Sequence, residues 1–78
     1  MMTKREFLSL FEEILEAEPG SLRGDEVLPG REGWDSLAVV SLIAMVDEQF
    51  GMTLAPKEIA RAGSVADIIA MLGNRIAA

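Results

Sequence analysis

Neither cysteine nor histidine occurs anywhere in this chain of 78 residues, so no disulfide and no Cys/His metal site is there to hold it together. Stability has to come from burying apolar side chains along regular elements, and half of the residues are apolar. A chain of this size carries material for one small core, which predicts a single domain over residues 1–78. The same absences restrict the chemistry. Histidine is the usual proton carrier near neutral pH and cysteine the most ready nucleophile. No pair of acidic residues flanks an evident pocket, so the expectation is a protein that is not an enzyme and binds no metal.

Thirteen acidic against seven basic residues leave a net charge of −6, which repels nucleic-acid phosphates and anionic lipid heads. The apolar run from Leu37 to Val46 is interrupted by Ser41 and is too short to span a bilayer. Met1 to Arg5 lacks the apolar stretch of a signal peptide. An acidic, cytoplasmic protein with no nucleic-acid or membrane partner is expected.

Thr3 followed by Glu6 is a capping-box pattern, and Phe7, Leu10, Phe11 and Ile14 then recur at helical spacing, which predicts a helix up to about Ala17. Glu12, Glu13 and Glu16 are assigned to its wet side. Between Glu18 and Trp34, Pro19, Gly20, Gly24, Pro29, Gly30 and Gly33 break any helical period. A loop of that length is uncommon in a small domain unless it is functional or pinned to the core, and Leu22, Val27 and Leu28 are the expected pins.

Asp35 and Ser36 can each start a helix, and no Gly or Pro follows until the stop at Phe50-Gly51. In this second helix Val39, Leu42, Ile43, Val46 and Phe50 share one face, as a core stripe should. Leu37, Val40 and Ala44 cluster on the other, bordered by Ser41, Asp47 and Glu48. Periodicity alone leaves two meanings open for them: a central helix buried on two sides, or an outward docking strip. After an extended stretch, Pro56 suits the first turn of a short helix ending near Gly63. Ser64 with Asp67 caps a last helix that uses Val65, Ile68, Ile69 and Leu72. The fold class expected is all-α: a four-helix bundle of three longer helices and one short one, with the long loop between helices one and two.

A serine at a helix start is in itself usually a cap. The run Gly33-Trp34-Asp35-Ser36-Leu37, however, resembles the acyl carrier protein family, whose Asp-Ser-Leu motif opens the second helix and bears a prosthetic group. The order of elements around it resembles that family over nearly the whole chain. The resemblance implies that a separate phosphopantetheinyl transferase moves 4'-phosphopantetheine from coenzyme A onto the Ser36 oxygen. Ser36 is then a modified residue and not a catalyst, and cargo is held as a thioester on the arm. It further implies that Asp35, Leu37, Val40, Ala44, Asp47 and Glu48 meet acyl-loading and acyl-processing enzymes through basic or apolar docking surfaces. Val46, Leu54 and Ala62 are implied to line a space for an acyl chain, and the carrier is expected to be a stand-alone monomer.

Ala38 and Ser41 stand where many fatty-acid-synthesis carriers have acidic residues, and Trp34 before the motif is more like dedicated carriers. Fatty acid or polyketide biosynthesis is the setting the resemblance implies, but the neutral early face of the second helix counts against bulk fatty-acid synthesis and suggests a pathway-specific carrier. Two other readings share the same residues. An aminoacyl carrier of D-alanyl type, or a peptidyl carrier, would keep Ser36 and the arm but load differently. An unmodified helical adaptor would use only the Leu37, Val40 and Ala44 strip.

Overall fold

The computed structural model describes residues 2–77. Thr3 caps the first helix, α1 (Lys4–Leu15): its hydroxyl accepts the Glu6 N–H, and the Glu6 carboxylate accepts the Thr3 N–H in return. The remaining helices are α2 (Ser36–Phe50), α3 (Pro56–Arg61) and α4 (Val65–Leu72). Proline stands at the first position of α3, and the Ser64 hydroxyl caps α4 by accepting the Asp67 N–H. The all-α bundle expected from the sequence is the fold.

Its core is built from the helical stripes. Phe7 and Phe11 of α1, Leu42 and Val46 of α2, Ile59 of α3, and Val65, Ile68 and Leu72 of α4 are all wholly removed from solvent. Each such side chain contributes about 1.5–3 kcal/mol of burial. Phe7 and Phe11 meet edge to face, with ring centroids 5.8 Å apart.

One small element was not expected. After a 3-10 turn at Gly73–Arg75, Ile76–Ala77 runs as a strand parallel to Met2–Thr3, pairing Met2 with Ile76 and Thr3 with Ala77. Ile76 is thereby carried into the core. Segments of two residues leave no alternation to read in a sequence. Helix α1 also stops two residues before the expected Ala17, with Glu16 in the left-handed conformation as its C-cap.

The long loop is tied down differently from expectation. Leu22 and Leu28 are buried pins, but Val27 is 66% exposed. Val27 forms an antiparallel bridge with Ser64, flanked by hydrogen bonds from Leu28 N–H to the Gly63 carbonyl and from Val65 N–H to the Glu26 carbonyl. In extended backbone, neighbouring side chains point opposite ways, so burying Leu28 turns Val27 outward.

Glu12 is the second correction: it lies not on the wet side with Glu13 and Glu16 but 3% exposed. The loop folds back over this face of α1, and its N–H groups need acceptors. Glu12 accepts from Gly20 N–H at 3.0 Å, from Leu22 N–H at 2.9 Å and from the Arg5 guanidinium at 2.6 Å. Arg5 also donates to the Leu22 carbonyl at 3.1 Å. Arg5 and Glu12 are two helical turns apart, so both face the same loop. Burial by itself raises the Glu12 pKa, but donation from Gly20, Leu22 and Arg5 outweighs it and holds the carboxyl below its ordinary value of 4.5.

A carboxyl whose pKa is depressed by folding adds stability above its unfolded value and loses it as pH falls through the folded one. Glu12→Gln is therefore expected to cost on the order of 2 kcal/mol at neutral pH, the scale of hydrogen bonds to a charged group. Below pH 4.5 the difference from wild type should narrow. Urea unfolding of both proteins across that range checks this, and a difference independent of pH would contradict it.

Candidate functional site

The end of the loop is fixed before α2 begins. Two successive turns, Arg31 N–H to the Leu28 carbonyl and Trp34 N–H to the Arg31 carbonyl, bring the chain back toward α1. Gly33, at φ +87°, rests on the backbone of Leu15 at the end of α1: a side chain there would overlap the Leu15 carbonyl oxygen. Trp34 follows, its ring 5.7 Å from that of buried Phe11 at a 34° tilt. A backbone contact and an aromatic contact thus set the position from which the next two residues project.

Asp35 and Ser36 divide the roles the sequence left open. Asp35 is the N-cap of α2, with Oδ1 accepting the Ala38 N–H at 2.9 Å. Its carboxylate also faces the positive end of the helix dipole. Ser36 occupies the first helical position, exposed, and its hydroxyl has no hydrogen-bond partner among the described residues. The usual duty of a helix-start serine is already performed by its neighbour. A primary hydroxyl is left in solvent on a rigid helix end.

The outward face of α2 is a strip rather than a second core. Leu37 is 74% and Val40 61% exposed, and Ala44, Asp47 and Glu48 are exposed as well. Their spacing of three and four residues aligns them along one side of the helix over about 16 Å. The structure brings Asp35 and Ser36 to one end of this strip, and Asp47 and Glu48 to the other. Val46, Leu54 and Ala62, by contrast, are at most 4% exposed and belong to the main core.

An open cleft lies between the end of α1 and the start of α2. Glu13, Ile14 and Glu16 line one wall, and Leu37, Ala38 and Ser41 the other. Gly33 and Asp35 complete it, and it shares Glu16 and Gly33 with a second cleft that Arg31 and Glu32 also line. The sequence reading missed this arrangement. Glu13 and Glu16 read only as a solvated face, and Gly33, on whose close approach to Leu15 the arrangement depends, read only as one more glycine of the loop.

Residues 5–72 match the family described as phosphopantetheine attachment site. The chain belongs to this family. Searches of curated proteins and of solved structures returned no match. Membership accounts for the helical fold, which is that of the acyl carrier proteins, and gives the domain its cofactor, 4'-phosphopantetheine, held by a covalent bond. It also implies a phosphopantetheinyl transferase and enzymes that use the loaded carrier as partners. The residues present fit such a group: Ser36 is exposed at the first position of α2, clear of the packed core, and its hydroxyl has no hydrogen-bond partner among the described residues. Among the described residues no helix is long and apolar enough to cross a membrane, and no group of three metal-ligating side chains is assembled.

Proposed function

We propose that this protein is a carrier that holds acyl intermediates as thioesters on a 4'-phosphopantetheine arm attached to Ser36, and presents them to partner enzymes in a dedicated pathway. The observation that carries the reading is the division of labour at the start of α2: Asp35 caps the helix, and Ser36 is exposed, its hydroxyl without a hydrogen-bond partner among the described residues. When bound, the arm supplies a terminal thiol to which cargo is joined. What the chain itself does is hold the oxygen of Ser36 at the end of a stiff rod, with Trp34 and Gly33 limiting its sway. The base and the charge neutralisation for attachment belong to the transferase, which is consistent with a chain that has no histidine.

Around that oxygen, Leu37, Val40 and Ala44 form the apolar part of the docking surface, with Asp35, Asp47 and Glu48 as its charged flanks. Charges at the ends of such a strip steer encounter and select partners, while a small apolar centre keeps the complex short-lived. Ala38 and Ser41 leave the first turns of α2 without charge, which supports partners that read apolar shape near Ser36. An acyl chain long enough to enter the bundle would pass Val46, Leu54 and Ala62, and these would have to part to admit it.

Intact mass after incubation with coenzyme A, magnesium and a promiscuous transferase tests the reading. The expected result is the gain of one phosphopantetheinyl group, mapped to Ser36 by fragmentation. A folded protein that gains nothing from several such transferases would overturn it. Docking has its own test: Val40→Glu puts a charge at the middle of the strip without touching the core, and should reduce turnover by a partner enzyme about tenfold, the effect of losing about 1.4 kcal/mol of binding. Unchanged helicity is expected alongside, and unchanged kinetics with each partner would remove the strip from the interface.

A further inference from the structure

We infer that a cleft at the N-terminal end of α1, rimmed by Lys4, Arg5 and Arg23, is a second docking surface, and that it fits an acidic segment of a partner protein. The inference goes beyond the carrier function and does not depend on the arm. The opposite end of α1 is the one on which Gly33 rests before α2 begins.

Charge is the first support. Three of the seven basic residues of an acidic chain come together here. Leu8, Gly20 and Leu22 complete the lining, so no carboxylate stands in it. Arg5 is committed to the fold, donating to Glu12 and to the Leu22 carbonyl. Lys4 and Arg23 are exposed and form no ion pair among the described residues. Glu26, three residues beyond Arg23, is occupied by the backbone N–H groups of Arg23 and Gly24 and lies outside the lining. Placement is the second support. Lys4 lies across the loop: a Cβ at position 24 would stand 2.6 Å from its Cε and 2.9 Å from its Nζ. Beneath, the loop is anchored by buried Leu22 and by Glu12, which accepts the Gly20 and Leu22 N–H groups. The cations thus stand over a fixed floor, which lowers the ordering cost of binding. Positive charge in the first turn of a helix is unfavourable. Arg5 has Glu12 to offset that cost, whereas Lys4 has no such partner among the described residues.

Sign and shape set the occupant. A membrane surface or a nucleic-acid backbone is a broad anionic face, and it would meet the net charge of −6 as well as the cleft. A narrow segment bearing carboxylates meets only the cations. Leu8 and Leu22 are 3% and 1% exposed, so the floor offers little apolar contact and the affinity comes from charge, weak and sensitive to salt. Lys4 and Leu15 are about 16 Å apart along α1, so a segment held at the cleft leaves Ser36 and the α2 strip uncovered. The two surfaces are opposite in sign: Asp35, Asp47 and Glu48 flank the strip, and Lys4, Arg5 and Arg23 rim the cleft. A carrier so built can be held by an acidic segment while its strip meets a basic enzyme surface.

Titration of the isotope-labelled protein with a hexaglutamate peptide at low salt, followed by NMR, tests this. Saturable shifts are expected at Lys4, Arg5, Gly20 and Arg23, and they should vanish at about 1 M salt, where charges are screened beyond roughly 3 Å. In Lys4→Gln with Arg23→Gln the affinity should fall about fivefold, the scale of two exposed ion pairs, without loss of thermal stability. Arg5 is left in place because it holds Glu12. Lys57→Gln with Arg61→Gln, on α3, should leave the affinity unchanged. Shifts of equal size around Lys57, Arg61 and Arg75 would reduce the effect to general attraction and overturn the surface. The same shifts with inorganic phosphate would make it a small-anion site, and binding to phosphatidylserine vesicles would make it a membrane contact. Shifts that grow with protein concentration in the absence of peptide would seat a second copy there. Each of these three results would overturn the acidic-segment assignment. Ser36 takes no part in the titration, so a failure here leaves the carrier function standing, and a protein that gains no arm leaves this inference standing.

Discussion

Ser36→Ala is expected to abolish attachment of the phosphopantetheine arm altogether while leaving the fold as stable as wild type to within about 0.5 kcal/mol, the usual range for an exposed site. Both halves follow from the same geometry. The hydroxyl makes no hydrogen bond among the described residues, so its removal leaves nothing buried and unsatisfied. Alanine is also a better helix former than serine, and Asp35 still caps the helix through the Ala38 N–H. If Ser36 were instead a structural cap, the same change would lower stability by about 1 kcal/mol. Thermal unfolding and intact mass on one preparation separate the two outcomes. Tethering retained in Ser36→Ala would move the site to another hydroxyl, and a marked loss of stability would show that the serine holds the helix.

The residues that made this site legible are few. A capping residue next to a serine at the head of an apolar helix suggests a free hydroxyl, but the sequence allowed either Asp35 or Ser36 to cap. Only the Asp35–Ala38 hydrogen bond separates them. Likewise, periodicity found Leu37, Val40 and Ala44 on one face of α2 without deciding whether a helix or solvent covers it; their exposure decides. Elements whose rules are local were read well: the capping box at Thr3 and Glu6, the cap at Ser64, and the proline start of α3. Features set by distant contacts were not. Glu12 looks like any carboxylate on an acidic helix face until the loop supplies Gly20 and Leu22 as donors. The outward turn of Val27 follows from its pairing with Ser64, far along the chain. The Ile76–Ala77 strand has meaning only beside Met2–Thr3. In each case the determining partner is absent from the sequence window in which the residue is read.

Gly33→Ala should be the most damaging single methyl that can be added to this protein near its site. Two separate penalties combine there. At φ +87° an L-residue is strained, at about 1–2 kcal/mol. In addition, the new Cβ would overlap the Leu15 carbonyl oxygen and lie only 3.2 Å from its carbon. The obstruction is helix backbone, which cannot rotate aside as a side chain can, and relieving it costs roughly a further 1–3 kcal/mol. Gly30→Ala isolates the first penalty, because Gly30 shares the positive φ of +83° but a Cβ there meets nothing within 4 Å. For a domain of this size 1 kcal/mol corresponds to about 4–8 °C in Tm. Gly33→Ala should thus lower Tm by more than about 10 °C, and Gly30→Ala by about half as much or less. The loss at position 33 should reach function too. Pushing Gly33 off Leu15 shifts the Trp34 ring from Phe11 and moves the start of α2, so attachment at Ser36 should slow even at temperatures where the variant remains folded. Equal Tm losses in the two variants would mean that the approach to Leu15 is not what fixes the end of the loop. A slow rate at position 33 with the Trp34 fluorescence unchanged would break the link from that glycine, through the ring, to the serine.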